Sequence, residues 1–256
     1  MKIIKYKKIS NNKYNLYLDN NDTITLYEDV IVNNNLLLTK KIDNDELKVL
    51  LNQNNEVYAY EIALRFITIK MRSKNEVYDY LLKKNISEYL IDITINKLIK
   101  EGYLNDFNFC KAYVNDQMLL SNFGPYKIKN NLIKYGIDSD IINEVIGDIK
   151  EEVVKEKLSK LVKKQIKIKK GSVNLLKIKL INYFTNLGFD KDMIVKELSY
   201  YDLKSDPQKL KNDYDKLYNK YKSKYDESKL TYFIAQKLYS KGYTSDDIIS
   251  VVKDNR

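Results

Sequence analysis

The sequence contains no histidine and no tryptophan, a single cysteine and only two prolines among 256 residues. Without histidine, the chain has no imidazole for general acid–base catalysis, for metal ligation or for a Ser-His or Cys-His dyad. The single cysteine, Cys110, excludes an intramolecular disulfide and disfavours an extracellular fold held by disulfides. These absences leave carboxylate, lysine and tyrosine side chains as the possible catalytic groups.

Nucleotide-binding motifs are also missing, since neither Gly-x-x-x-x-Gly-Lys-Ser/Thr nor Gly-x-Gly-x-x-Gly occurs. We therefore expect no enzyme, no catalytic residues, no bound metal and no cofactor. The first eight residues carry lysines where a signal peptide needs an apolar stretch, and no run approaches the ~18 apolar residues of a membrane span. We expect a cytoplasmic protein with no membrane association.

The chain has 45 basic and 35 acidic residues, and all but three of the basic residues are lysines. The resulting net charge of +10 suits an anionic partner. The excess is uneven, because residues 150–200 carry +7 whereas residues 1–56 sum to zero. This uneven distribution is a stronger indication of a binding face than the lysine content itself.

One short pattern recurs four times, at steps of 51, 52 and 54 residues. In each copy a glycine or asparagine that can end a helix in the left-handed conformation is followed by an apolar residue and then by a helix N-cap type. The four copies are Asn85-Ile86-Ser87, Gly136-Ile137-Asp138, Gly188-Phe189-Asp190 and Gly242-Tyr243-Thr244. Each copy predicts two helices joined by a Schellman-type turn.

A third amphipathic helix precedes each pair, and Gly124-Pro125, Gly171-Ser172 and Asp206-Pro207 mark helix boundaries. The repeat length is typical of a helical-repeat protein. The sequence therefore predicts a mainly α fold of tandem three-helix repeats. We place the repeats at residues 57–104, 105–149, 150–200 and 201–256.

Residues 1–55 differ from the repeats and form the predicted β-rich N-terminal segment. Residues 14–18 and 23–27 alternate like half-buried strands, Asn20-Asn21 suits the hairpin between them, and Ile3 to Ile9 can form a first strand. A short helix is expected from Asp43 to Leu51. The polar residues 52–55 are then expected to link this segment to the helical repeats.

Several motifs between residues 63 and 137 resemble those of the RecX family. They are Ala63-Leu64-Arg65, Arg72-Ser73-Lys74-Asn75-Glu76-Val77, Glu101-Gly102-Tyr103-Leu104-Asn105-Asp106, Gly124-Pro125-Tyr126-Lys127-Ile128, and Leu132 with Gly136-Ile137. The likeness thins after about residue 150, where only the repeat pattern continues. The sequence departs from the family at Asn85, where glycine is usual, and at Tyr78 and Tyr126, where basic residues are frequent.

The resemblance implies a curved, elongated array of three-helix repeats that docks along the groove of a RecA-type recombinase filament and inhibits or modulates recombination. It also implies a regulatory role in DNA repair and the SOS response. We expect a monomer with weak, sequence-tolerant DNA binding. The alternative is a helical-repeat protein that binds nucleic acid directly through its lysine-rich face.

The candidate partner-binding residues are basic side chains near the motifs and in the basic third repeat: Arg72, Lys74, Lys127, Lys129, Lys134, Lys163, Lys164, Lys167, Lys169 and Lys170. The competing interpretation for Arg72, and also for Arg65, is an ion pair inside the protein. For the lysines the competing interpretation is a solvated face. We expect Tyr80, Tyr103 and Tyr113 to pack in the core, and Cys110 to be a small buried apolar residue.

Overall fold

The computed structural model describes residues 1–254, so the last two residues of the predicted fourth repeat lie outside the described range. The chain begins with three strands, β1 Ile3–Ser10, β2 Lys13–Leu18 and β3 Thr23–Tyr27, in an antiparallel sheet of order β1-β2-β3. Leu16, Leu18 and Leu26 point inward and are buried. The predicted strands and the hairpin are confirmed, with Asn21 in the left-handed conformation at a φ of 66°.

Two short helices, α1 Glu28–Asn33 and α2 Leu36–Thr39, follow the sheet and were not predicted. They are too short to show helical periodicity in the sequence. Val30, Ile31 and Leu36 pack into the same core as the strands. Packing against the sheet, rather than helix propensity, therefore stabilises them.

Helix α3 Asn44–Ile69 runs without a break through residues 52–55, so the predicted polar linker is wrong. The side chain of Asn54 accepts a hydrogen bond from the backbone N–H of Tyr27 at 2.8 Å, and Gln53 Oε1 accepts from Asn34 Nδ2 at 2.7 Å. These polar residues tie the helix to the preceding strand and turn. Asp43 is the N-cap, as predicted, and forms a capping box with Glu46.

Eleven further helices follow α3 in the described part of the chain. They are α4 Lys74–Lys83, α5 Glu88–Lys100, α6 Asp106–Leu120, α7 Pro125–Lys134, α8 Ser139–Gly147, α9 Glu151–Ile168, α10 Val173–Asn186, α11 Lys191–Ser199, α12 Pro207–Tyr221, α13 Glu227–Ser240 and α14 Ser245–Lys253. The mainly α fold is confirmed. Pro125 and Pro207 each begin a helix, where the missing N–H costs nothing.

The repeated helix-ending turn is present four times. Asn85, Gly136, Gly188 and Gly242 all adopt positive φ, at 58°, 70°, 87° and 82°. In the turn at Gly188, the N–H of Gly188 donates to Thr185 O at 2.9 Å and the N–H of Phe189 donates to Phe184 O at 3.1 Å, which is the Schellman pattern.

The apolar residue after each turn, at positions 86, 137, 189 and 243, is buried. The N-cap predictions hold for the side chains of Asp190 and Thr244, which accept backbone N–H groups of α11 and α14. Asp138 accepts from the N–H of Asp140 at 2.8 Å. Ser87 occupies the N-cap position of α5 but makes no capping bond with its side chain.

The chain divides into two compact units. The first consists of residues 1–111 with 133–141, and the second of residues 112–132 with the chain from Ile142 onward. The division falls inside residues 105–149, so the four-repeat partition remains our proposal. The first unit holds the core of the β-rich segment and the core of α3 to α5. The second holds separate cores for α9 to α11 and for α12 to α14.

The three tyrosines that were predicted to pack in the core differ in their burial. Tyr80 packs against the core of α3 to α5 and stacks on Phe66 at 4.1 Å between ring centroids, as expected. Tyr103 is 58% exposed, so its predicted core position is wrong, because Leu104 fills the buried site after the turn at Gly102. Tyr113 is half-buried. Cys110 is fully buried, as predicted, and burial raises the pKa of its thiol.

Candidate partner-binding surface

We call each set of three consecutive helices a triplet: α3 to α5, α6 to α8, α9 to α11 and α12 to α14. The lysine-rich face of the third triplet lies on α9. Three of its lysines are exposed and have no ion-pair partner in the described part of the chain: Lys163, Lys164 and Lys167. On a helix they span about 100° of arc, and the buried Leu158 and Val162 occupy the opposite side. The buried side fixes the helix to its core, and the cationic side is left free for an anionic partner.

The other two lysines of this predicted cluster have partners inside the protein. Lys169 Nζ lies 4.3 Å from the ring centroid of Tyr183, and Lys170 Nζ lies 3.5 Å from a carboxylate oxygen of Asp206. Asp206 also caps α12, because its side chain accepts the N–H of Lys209 at 2.9 Å. Its pKa is lowered chiefly by that backbone N–H, and Lys170 adds to the effect. Of the five lysines in this predicted cluster, three therefore have no partner among the described residues, and two contact other side chains of the protein.

The lysines near Gly124-Pro125 have different environments. Lys129 Nζ donates to Asn143 Oδ1 at 2.7 Å. Lys127 is half-buried because its backbone and Cβ pack against Gly188. Lys134 is exposed at the end of α7. A partner-binding role for each of these three lysines remains a prediction.

Arg72 is held inside the first unit. Its guanidinium carbon lies 4.0 Å from the ring centroid of Phe66, and Nη1 donates to Glu76 at 3.0 Å. The side chain is 16% exposed, and its Nε is buried without a hydrogen-bond acceptor among the described residues. This is the internal ion pair that competed with partner binding in the sequence interpretation. Arg65 is likewise paired, with Glu61 at 3.0 Å, but is 74% exposed.

Lys74 is exposed at the first position of α4, with its backbone N–H bonded to the carboxylate of Asp106 at 2.9 Å. Its amino group is available to a partner. Next to it, Ser73 is fully buried and donates from Oγ to the carbonyl oxygen of Tyr135 at 2.8 Å. The motif that contains Arg72, Ser73 and Lys74 therefore packs mainly against its own unit.

The bond from Ser73 is one of three similar joints that the sequence interpretation missed. In each joint, a residue just before the second helix of one triplet donates a hydrogen bond to a backbone carbonyl of the next triplet. That carbonyl belongs to the residue just before the left-handed glycine. Gly124 N–H donates to Leu187 O at 2.7 Å, and Ser172 Oγ donates to Lys241 O at 2.5 Å. The spacing of the glycines was visible in the sequence, but the close approach to them was not.

Lys157 on α9 is a further residue that sequence reasoning missed. Its Nζ donates to the carbonyl oxygen of Gln117 at 2.9 Å, in the last turn of α6. Burial lowers the pKa of this amino group to about 8. The hydrogen bond to a carbonyl at the helix C-terminus offsets part of the desolvation cost of the ammonium. Lys157 therefore joins α9 to α6 rather than contributing to the exposed lysine face.

Within residues 1–254, no helix has the length and apolar character needed to cross a membrane. Within the same residues, no group of three or more potential metal-binding side chains comes together. Among the predicted site residues, those that are exposed and have no ion-pair partner in the described range are Lys74, Lys134, Lys163, Lys164 and Lys167.

Comparison with known proteins identifies the family. The model described as RecX, first three-helix domain, matches residues 59–98, and the model for RecX, second three-helix domain, matches residues 105–146. A crystal structure of a regulatory protein RecX matches with a TM-score of 0.65 at 21% identity, covering 75% of this chain and 96% of that chain. The structural likeness supports the fold.

Full-length relatives extend the match beyond these two regions. Regulatory protein RecX of Streptococcus pyogenes serotype M5 (strain Manfredo) is 31% identical over 252 residues, which cover 97% of each protein. Regulatory protein RecX of Streptococcus uberis (strain ATCC BAA-854 / 0140J) is 29% identical over 259 residues, covering 98% of this chain and 99% of that protein. The chain therefore belongs to the RecX family of regulatory proteins.

Proposed function

We propose that this protein regulates a RecA-type recombinase by binding to the filament that the recombinase forms on DNA. Family membership over 97% of the chain supports a regulatory role. The exposed face of α9 supports an anionic target, because Lys163, Lys164 and Lys167 have no internal counter-charge among the described residues. We propose a monomer that needs no catalytic residue for this action.

The lysine face is suited to many weak contacts rather than one strong contact. Each exposed lysine contributes on the order of 1 kcal/mol or less to an ion pair, so affinity has to come from several contacts at once. A filament repeats its surface, and a protein built from three-helix repeats can present such contacts more than once. Direct binding to DNA through the same lysines would be weak, sequence-tolerant and dependent on salt.

The test measures ATP hydrolysis by a RecA-type recombinase already assembled on single-stranded DNA. The parent chain should inhibit hydrolysis. Changing Lys163, Lys164 and Lys167 together to Glu should weaken that inhibition at least several-fold, while circular dichroism retains the helical spectrum. The fold should persist because exposed substitutions contribute little to stability.

A matched variant separates the position of the charges from their number. Lys177, Lys179 and Lys191 are exposed lysines on α10 and α11 of the same triplet, and changing them to Glu alters the net charge equally. This control should inhibit nearly as well as the parent. Equal loss in both variants would show a general charge effect and refute docking through α9. A parent chain that leaves hydrolysis unchanged would refute filament regulation itself.

A further inference from the structure

The corner between α12 and α13 combines aromatic rings and lysines more densely than other parts of the fold. Residues 214–225 contain four tyrosines and four lysines in twelve positions. Tyr214 is buried and Tyr221 packs against the core of the last triplet, but Tyr218 and Tyr225 are about 40% exposed. Core packing therefore does not account for the positions of these two exposed rings.

Three of the rings form a cluster at the surface. Tyr225, in the turn after α12, stacks on Phe233 of α13 with 5.1 Å between centroids and 29° between planes. Tyr221, the last residue of α12, meets Phe233 edge to face at 4.8 Å. Because Phe233 holds one side of Tyr225 and the residue remains 40% exposed, the tyrosine is pre-positioned with part of its ring open to solvent.

Lysines surround this cluster. The Nζ atoms of Lys220 and Lys224 lie 5.3 and 5.9 Å from the centroid of Tyr221, and Lys237 Nζ lies 5.3 Å from that of Phe233. None of these three lysines has a carboxylate within ion-pair distance among residues 1–254. The corner therefore offers positive charge within about 6 Å of stacked aromatic rings, which is the range of cation–π contact.

We propose that Tyr225, supported by Tyr221 and Phe233, and the lysines 220, 224 and 237 form a binding site for single-stranded nucleic acid. An unpaired base would stack on the open part of Tyr225, and the adjacent phosphates would contact the lysines. Bases of a duplex are stacked on each other and have no free face for this contact. Lysine offers no planar fork for base edges, so the site tolerates any sequence.

This site is distinct from the lysine face of α9 and acts on nucleic acid without a recombinase. Its failure would leave the proposed filament regulation untouched. Stacking and ionic contacts also respond differently to salt. The ionic part weakens as salt rises, because the release of counterions then favours binding less, whereas the stacking part persists.

The test is fluorescence anisotropy of the full chain with a labelled oligothymidylate and with a labelled duplex of equal length, over a salt series. Tyr225→Leu keeps an apolar side chain but removes the ring. It should weaken oligothymidylate binding about tenfold at every salt concentration, the loss expected for one base stack. Tyr232→Leu is the control, because Tyr232 is 68% exposed on α13 but lies outside the cluster.

The double variant Lys220→Gln, Lys224→Gln should reduce the slope of log K against log salt by about 0.7 for each phosphate that a lysine no longer neutralises. A labelled oligouridylate distinguishes RNA from DNA as the strand, and a preference for either supports the site. Equal binding by Tyr225→Leu and Tyr232→Leu, or equal affinity of the parent for duplex and single strand, would overturn the proposal.

Discussion

Gly124 and Gly188 meet backbone against backbone. A Cβ atom added to Gly124 would lie 2.5 Å from the carbonyl oxygen of Gly188. The N–H of Tyr126 donates to that same oxygen at 3.0 Å. Position 188 therefore has two requirements that only glycine meets together, a φ of 87° and the absence of a side chain where α7 approaches.

Gly188→Ala should destabilise the protein by about 2–4 kcal/mol, which combines the left-handed penalty with overpacking of the joint. The added Cβ would lie 2.5 Å from the Cβ of Lys127. Gly102→Ala is the matched control, because Gly102 has a φ of 80° but nothing within 4 Å of an added Cβ. It should cost only about 1–2 kcal/mol. Urea denaturation of both variants checks this difference in the free energy of unfolding. Equal losses would show that α7 moves aside to accommodate the added Cβ at position 188.

Ser73→Ala removes two hydrogen bonds from a fully buried position. Ser73 Oγ accepts the N–H of Glu76 at 3.1 Å as a helix cap and donates to Tyr135 O at 2.8 Å. The loss should be about 2–3 kcal/mol, since both hydrogen bonds are made by a fully buried side chain. Ser87→Ala should cost less than about 0.5 kcal/mol, because that serine makes no capping bond. Comparable losses for Ser73→Ala and Ser87→Ala in urea denaturation would show that the hydrogen bonds of Ser73 add nothing to stability.

The Arg72–Glu76 pair should contribute measurably to stability, because Arg72 is 16% exposed and stacks on Phe66. A double-mutant cycle with Arg72→Met and Glu76→Gln should give a coupling energy of about 1–2 kcal/mol. Glu76→Gln retains the oxygen that accepts the N–H of Ser73. The cycle for the 74% exposed Arg65 with Glu61 should give less than about 0.5 kcal/mol. A coupling energy near zero for Arg72 and Glu76 would mean that the Arg72 guanidinium does not pair with Glu76 in solution.

Stability should rise with pH between about 8 and 10.5 through Lys157. Its folded-state pKa is about 8, against an ordinary value of 10.5, so in this window the unfolded chain binds more protons than the folded chain. Urea denaturation at about pH 7.5 and about pH 9, below the ordinary pKa of tyrosine, should show this gain in the parent and lose it in Lys157→Met. Lys160→Met should behave like the parent, because Lys160 is 80% exposed. A parent and Lys157→Met with the same pH response would show that Lys157 titrates normally.

Local residue chemistry by itself determined the helix-ending turns. Left-handed φ is available to glycine because it lacks a Cβ atom, and to asparagine because its short polar side chain can bond to the nearby backbone. Asn85, Gly136, Gly188 and Gly242 could therefore be assigned from sequence spacing. The strands, the proline-initiated helices and the Asp43 cap follow from equally short-range preferences. The same holds for the position of the lysine face opposite the apolar side of α9, since helical periodicity is local.

Tertiary structure alone decided which of these residues have partners distant in sequence. Residues 52–55 are helical because Gln53 and Asn54 bond to the turn and the strand that precede α3. Lys170 is engaged because Asp206 lies beside it, whereas Lys163 remains free. Asn85 can replace glycine because it is exposed, but at Gly188 the approach of α7 leaves no room for a side chain. Residue type and spacing determine backbone preference, but contacts between distant segments determine which side chains are left for a partner.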